Sequence, residues 1–91
     1  MRQLKQPSRL PKTFLICVET KDGKSGYVRY LSYPTGNDFK YELNIVKKMG
    51  DASRYISLDN SKIEAKKIKE KHGFPVVHVV DETTRKMYPI H

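Results

Sequence analysis

Hydrophobic and polar residues alternate most regularly between residues 39 and 46. Apolar side chains stand at every second position, and polar ones stand between them: Phe39, Tyr41, Leu43 and Ile45, against Lys40, Glu42 and Asn44. A strand with one buried face alternates in this way. Residues 13–19 and 27–33 are also rich in β-branched and aromatic residues, with glycine-containing turn sequence between them. They predict an antiparallel hairpin that precedes the strand at 39–46.

A helix is predicted over residues 61–72. Ser61 and Glu64 have the spacing of a capping box, in which the serine caps the first turn and the glutamate reaches back to the cap amide. Gly73 stands where helices often end in a left-handed residue, and Pro75 cannot continue a helix. The apolar residues expected on the buried face of this helix are Ile63, Ala65 and Ile68.

Two further strands are predicted after the helix, at residues 76–80 and 85–90. The first is almost entirely valine, and Pro89 makes the second suited to a sheet edge. The resulting order is β-β-β-α-β-β. It predicts an α+β fold in which one helix packs on a mainly antiparallel sheet of four to five strands, in two layers.

Composition limits the class of protein. The chain has 91 residues, enough for a single domain, which is predicted to span residues 13–91. Its longest apolar runs are far shorter than the roughly 20 residues of a membrane-spanning helix. The single cysteine excludes an internal disulfide bond and a cysteine-based zinc cluster. These features lead us to expect a small cytoplasmic protein without a membrane partner.

The formal net charge of +8 is concentrated in two segments. Residues 1–12 hold four basic residues, no acidic residue and two prolines, and are predicted to form a flexible basic arm. The helix segment has five lysines and two glutamates. A positive arm and a positive helix face are typical of a phosphate-binding surface, although a lysine-rich helix can also be an ordinary solvated surface. The candidate nucleic-acid-binding residues are Arg2, Lys5, Arg9, Lys12, Lys62, Lys66 and Lys69.

Six tyrosines provide a second candidate surface. Aromatic residues on an open sheet can stack on bases, but tyrosine is also a good strand former and a common interface residue. A protein–protein interface on the sheet or at a strand edge is therefore the alternative. Its predicted anchors are Tyr27, Tyr30 and Tyr33.

The sequence offers few groups for catalysis. His72 is placed to interact with the carboxyl end of the helix, and Cys17 lies in an apolar strand, where a free cysteine is usually inert. The histidines lack metal-ligand spacing, and no phosphate-binding glycine motif is present. We expect a non-enzymatic protein without a cofactor or a metal.

Residues 54–80 carry a resemblance to a known group. Arg54-Tyr55-Ile56-Ser57, the capped segment from Ser61 to Ile68, Gly73 and the valine-rich strand resemble the closing half of small bacteriophage and prophage accessory proteins. The resemblance implies a small protein that binds and modulates a host or phage component, inhibitors of host defence nucleases included. It implies no catalytic residue.

These observations favour a non-enzymatic binding protein, encoded by a phage or mobile element, whose basic arm and helix contact nucleic acid or a nucleoprotein. The alternative is a protein–protein interaction module, or an inhibitor of a host protein, that acts through the tyrosine-bearing sheet or a strand edge. A host protein with an acidic surface is the corresponding partner. Either a monomer or a homodimer is compatible with the sequence.

Overall fold

The computed structural model describes residues 12–91, with only the backbone described for Ser32, Tyr33, Pro34 and Phe39. It confirms the predicted α+β fold class and element order. The elements, in chain order, are β1 (Phe14–Glu19), β2 (Ser25–Thr35), β3 (Asp38–Val46), a short 3-10 helix (Met49–Asp51), α1 (Leu58–His72), β4 (Val76–Asp81) and β5 (Met87–Pro89).

The five strands form one antiparallel sheet in the order β3-β2-β1-β4-β5. The strand β1 is central, and β5 lies at the edge, as Pro89 predicted. A two-residue turn joins β2 to β3, and Gly36 occupies its first position with φ 66°. Glycine is favoured there because the turn needs a positive φ. The helix α1 then connects the β3 edge to β4 on the other side of β1.

The hydrophobic core lies between α1 and one face of the sheet. Every second residue of β1 and β4 points into it, and Ala65 and Ile68 meet them from the helix. The buried sheet residues of this cluster are Phe14, Ile16, Val18, Val28, Val77 and Val79. Because side chains alternate across a strand, the neighbouring residues in β1 and β4 face the opposite side of the sheet.

The helix begins one turn earlier than the sequence predicted. Its N-cap is Ser57, whose hydroxyl accepts a hydrogen bond from the amide of Asn60 at 3.2 Å. Ser61, predicted to be the cap, is instead fully buried inside the helix, and its hydroxyl donates to the carbonyl of Leu58 at 2.7 Å. The predicted end is correct, since Gly73 has φ 69° and its amide donates to the carbonyl of Lys69.

The earlier start also corrects the predicted buried face. Ser61, Ala65 and Ile68 are the buried residues of α1, whereas Ile63 is 54% exposed. Residues that share a helix face are three or four positions apart, and Ile63 is only two positions from Ser61 and from Ala65. The prediction that Ile63 belongs to the core is therefore wrong.

The segment that follows β3 enters the sheet between two strands. The pairing of β1 with β2 covers only Cys17–Glu19, and beyond it the segment 53–55 lies between the two strands. The amide of Ser53 donates to the carbonyl of Val28 at 3.1 Å, and Phe14 and Tyr55 exchange two backbone hydrogen bonds of 2.7 and 2.9 Å. The far part of the β2–β3 hairpin is thereby separated from β1, and Tyr55 comes to lie beside it.

Gly26 allows β2 and β3 to lie close together. A Cβ atom on this buried residue would overlap Ile45 Cγ2 and lie 2.9 Å from the backbone oxygen of Val46. We expect Gly26→Ala to lower the free energy of unfolding by about 1–3 kcal/mol, because backbone at this distance cannot move without straining the hairpin. Urea denaturation measures the change. Gly50→Ala is the matched control, since no atom lies within 4 Å of the added carbon. An equal effect of the two substitutions would contradict the role given to Gly26.

Candidate functional site

Lysines from two separate elements meet at the edge where α1 lies over β5. Lys62 Nζ, from the helix, lies 5.2 Å from the centroid of the Tyr88 ring. Lys86 Nζ, from the turn before β5, lies 5.3 Å from the same centroid. Both distances suit cation–π contacts, in which the ring attracts an ammonium group. Tyr88 thus brings a lysine from the β4–β5 hairpin next to the predicted helix lysines.

Lys69 and Lys66 extend this cluster along the helix. Lys69 is half-buried, and its ammonium group donates a hydrogen bond to the carbonyl of Ile90 at 3.1 Å. Lys66 is exposed. Spacings of three and four residues keep Lys62, Lys66 and Lys69 on one flank of α1. We call the set of Lys62, Lys66, Lys69 and Lys86 the lysine surface. Lys86 lies outside the helix, so helical spacing alone did not reveal it.

The structure describes only the last residue of the predicted basic arm, Lys12. Arg2, Lys5 and Arg9 lie outside the described residues. Lys12 is exposed, and its positive charge interacts with the carboxylate of the buried Asp81 at the end of β4. The pKa of Asp81 is lowered, first by the hydrogen bond from the amide of Thr84, with a smaller contribution from Lys12.

An open groove lies on the opposite flank of α1. It encloses about 500 Å³ and is lined by Tyr30, Tyr41, Tyr55 and Glu64, from β2, β3, the inserted segment and the helix. Tyr41 is 68% exposed, so its ring forms a wall of the groove and contributes little to the core. We call this feature the tyrosine groove. Alternation in β2 and β3 predicts that Tyr30 and Tyr41 share a face, but nothing local in the sequence places Tyr55 beside them.

Burial favours the neutral form of two groove phenols, Tyr30 and Tyr55. Burial, and then the charge of Glu64, raises the pKa of Tyr30. Burial is also the main cause for Tyr55, whose pKa rises to about 12 with further contributions from Tyr30 and Glu64. At neutral pH these two tyrosines therefore offer aromatic faces and hydroxyl groups, and Glu64 offers the negative charge.

The three tyrosines predicted as interface anchors do not form one surface. In the pairing of β2 with β3, Tyr30 lies opposite Leu43 and faces the helix side of the sheet. Tyr27 is an odd number of residues away and occupies the other face. Tyr27 is half-buried there. Only the backbone of Tyr33 is described. The described tyrosine cluster is thus Tyr30 with Tyr41 and Tyr55.

An ion pair holds Tyr55 and its segment in place. The guanidinium of Arg54 donates to both carboxylate oxygens of Glu82, with distances of 2.8 and 2.9 Å. Glu82 also accepts a hydrogen bond of 2.6 Å from the hydroxyl of Thr13. Such two-point contacts fix orientation as well as distance. They fasten the inserted segment to the β4–β5 turn and so position one wall of the tyrosine groove.

This ion pair predicts an acid-dependent contribution to stability. Hydrogen bonds from Arg54 and Thr13 lower the pKa of Glu82 from 4.5 to about 2. Since the pKa is lower in the folded state, ionised Glu82 stabilises the fold above about pH 4.5, and the contribution is lost as the pH falls toward 2. We expect Glu82→Gln to cost about 1 kcal/mol at neutral pH, because solvent screens a partly exposed pair.

Urea denaturation of wild type and Glu82→Gln across this pH range measures the difference in free energy of unfolding. The difference should shrink steadily below pH 4.5. Glu70→Gln, an exposed position of α1, removes one negative charge without removing such a pair and is the matched control. A difference for Glu82→Gln that stays constant with pH would contradict the assignment.

The structure also brings together a cysteine and a histidine that no local sequence pattern connects. Cys17 of β1 lies directly opposite His78 of β4, on the sheet face away from the helix. Burial, and then the charge of Glu19, raises the pKa of the Cys17 thiol. Burial likewise lowers the pKa of His78. A nucleophilic cysteine needs a lowered pKa, so this pair gives no support to a catalytic role.

Comparisons with other proteins do not assign the chain to a family. No family model, no curated protein and no solved structure matches the chain. The resemblance to phage accessory proteins therefore stays a prediction. Within residues 12–91, no group of three or more potential metal ligands is found. No helix in that part of the chain is both long and apolar enough to cross a membrane.

Proposed function

We propose that this protein is a small non-enzymatic binding protein whose lysine surface contacts the phosphate backbone of nucleic acid, free or within a nucleoprotein. The observation that carries the proposal is the convergence of Lys62 and Lys86 on the ring of Tyr88. It joins two lysines from different elements into one positive region that continues along α1.

Like charges at this separation repel one another. Two ammonium groups that lie 5.2 and 5.3 Å from one ring centroid are at most about 10 Å apart, which is about the Debye length at 0.1 M salt. A bound polyanion relieves this repulsion and releases the counterions that otherwise neutralise it. The ring of Tyr88 offsets part of the cost in the free protein and holds both side chains toward the same region.

The predicted arm supplies further positive charge before β1. Arg2, Lys5, Arg9 and Lys12 are included in the proposal as a second set of phosphate contacts, on the evidence of their charge alone. Lysine contacts to phosphates position a protein on nucleic acid but do not read its bases. We therefore propose binding that depends on charge, without assigning a sequence preference or a choice between DNA and RNA.

Titration of the isotope-labelled protein with a short DNA duplex and a short single-stranded RNA, followed by NMR, tests the location of binding. Shifts of the amides around Lys62, Lys66 and Lys86 are expected, and those of the β1–β2 turn should stay in place. Absence of binding at low salt overturns the proposal. A partner captured from a lysate that survives both nuclease treatment and high salt would instead favour the protein–protein alternative.

A further inference from the structure

The tyrosine groove has a chemistry that the lysine surface does not use. We propose that it binds the arginine side chain of a partner protein, with the guanidinium stacked on the tyrosine rings and hydrogen-bonded to Glu64. The inference is independent of the nucleic-acid proposal, because the groove and the lysine surface lie on opposite flanks of α1.

Aromatic faces and a carboxylate together select a cation. The electron-rich faces of Tyr30, Tyr41 and Tyr55 attract positive charge, and the attraction grows where solvent is reduced. Glu64 completes the groove with a negative charge in a chain whose net charge is +8. This local reversal of sign distinguishes the groove from the lysine-rich remainder of the helix.

Arginine fits this combination better than lysine does. Its guanidinium is planar and can stack on a phenol ring while its edge donates two hydrogen bonds to one carboxylate. The phenols of Tyr30 and Tyr55 remain protonated at neutral pH and add no competing charge. The open shape of the groove admits a side chain from the surface of another protein.

Exposed apolar residues that adjoin groove residues in the chain favour a protein as the source of the arginine. Ile56, which follows Tyr55, is 79% exposed, and Ile63, which precedes Glu64, is 54% exposed. Tyr41 itself is 68% exposed. Large exposed apolar residues are typical of protein interfaces, where they bury area once the partner is bound.

Lys67 pairs with Glu64 in the free protein. Its ammonium group lies 3.6 Å from a carboxylate oxygen of Glu64, and its side chain is 69% exposed. A pair this exposed is weak, so an incoming guanidinium can displace it. The proposal therefore predicts opposite effects for the two residues: removal of Glu64 weakens arginine binding, and removal of Lys67 strengthens it.

The test is an NMR titration with acetyl-Gly-Arg-Gly-amide at physiological salt. We expect shifts of the signals from the four groove residues. Glu64→Gln should weaken binding about fivefold, and Tyr41→Ala, an exposed position outside the core, should weaken it by a similar factor. Lys67→Gln should strengthen binding about two- to threefold. Glu70→Gln is the matched control for Glu64→Gln, and Lys24→Gln is the matched control for Lys67→Gln. Each makes the same change in net charge as its counterpart, at an exposed position away from the groove.

Two comparison ligands separate the alternatives. Acetyl-Gly-Leu-Gly-amide should not shift the groove signals, and tetramethylammonium should bind more weakly than the arginine peptide. Equal binding of the leucine peptide would overturn the proposal in favour of a purely apolar groove. Binding of tetramethylammonium without the arginine peptide would overturn the assignment to a protein side chain. Equal effects of Glu64→Gln and Glu70→Gln would overturn the role of Glu64.

Discussion

Replacing Ile68 with alanine is expected to lower the free energy of unfolding by about 3 kcal/mol. Ile68 is 1% exposed and is the largest side chain that α1 contributes to the core. The substitution removes buried apolar area and leaves a cavity against β1 and β4, which a close-packed interior cannot fill completely. For a domain of this size the loss corresponds to a fall in Tm of roughly 12–24 °C. Urea and thermal denaturation both measure it.

Ile63→Ala provides a control with the same chemical change on the same helix. Ile63 is 54% exposed, so its truncation should change the free energy of unfolding by less than about 0.5 kcal/mol. The comparison also tests the position at which α1 begins. A helix starting at Ser61 with Ile63 in the core would give the two substitutions similar costs, and that result would contradict the structure.

Neutralising the lysine surface is the second change with a large expected effect. We expect the combined substitution of Lys62, Lys66 and Lys86 by glutamine to weaken binding to a short DNA duplex about 10- to 100-fold at low salt. Each phosphate contact that is lost reduces the number of counterions released on binding. Fluorescence anisotropy measures Kd. Lys69 is left intact, since its hydrogen bond to Ile90 gives it a structural role as well.

The matched control neutralises Lys21, Lys24 and Lys47. These three exposed lysines lie in the β1–β2 turn and after β3, away from Tyr88. The change in net charge is identical, so a general electrostatic attraction would weaken equally in both variants. We expect the control to lose less than about threefold in affinity. Equal losses would show that net charge, and not the lysine surface, accounts for binding.

Local sequence patterns were sufficient to predict the strands. Period-2 alternation at 39–46 predicted β3, the valine run predicted β4, and Pro89 predicted an edge strand. The end of the helix was equally well marked, because Gly73 and Pro75 each act through their own backbone geometry. Signals of this kind depend on a few neighbouring residues and do not require knowledge of the tertiary contacts.

The beginning of the helix could not be predicted from local sequence alone, because two serines four residues apart both suit an N-cap. Ser61 has a glutamate at the capping-box position, whereas Ser57 has only Asn60 there. Tertiary packing decides between them. A helix begun at Ser57 turns the small Ser61 and Ala65 toward the sheet, where α1 packs closely on β4 and β1, and leaves Ile63 outside.

The two candidate sites differ in how much of them a sequence can reveal. Helical spacing placed Lys62, Lys66 and Lys69 on one flank, but Lys86 joins them only through Tyr88. The tyrosine groove depends on the insertion of residues 53–55 between β1 and β2. That insertion is held by Arg54 and Glu82, which are 28 residues apart, and no local pattern connects them.

The arrangement of α1 allows both proposed contacts at once. One flank carries the lysine surface beside β5, and the other carries Glu64 in the tyrosine groove. A nucleoprotein presents phosphates and arginine side chains close together, so it could engage both flanks of the same helix. The two surfaces can be tested separately, because Lys62→Gln and Glu64→Gln lie on different flanks.

The salt dependence of Kd for a DNA duplex tests the central claim most directly. The slope of log K against log salt falls by about 0.9 for each phosphate contact removed. If Lys62, Lys66 and Lys86 contact phosphates, the slope for the three-lysine glutamine variant is smaller than the wild-type slope by about 2.7, and the control variant keeps the wild-type slope. Parallel slopes for all three proteins would contradict the assignment of the phosphate-binding site to the lysine surface.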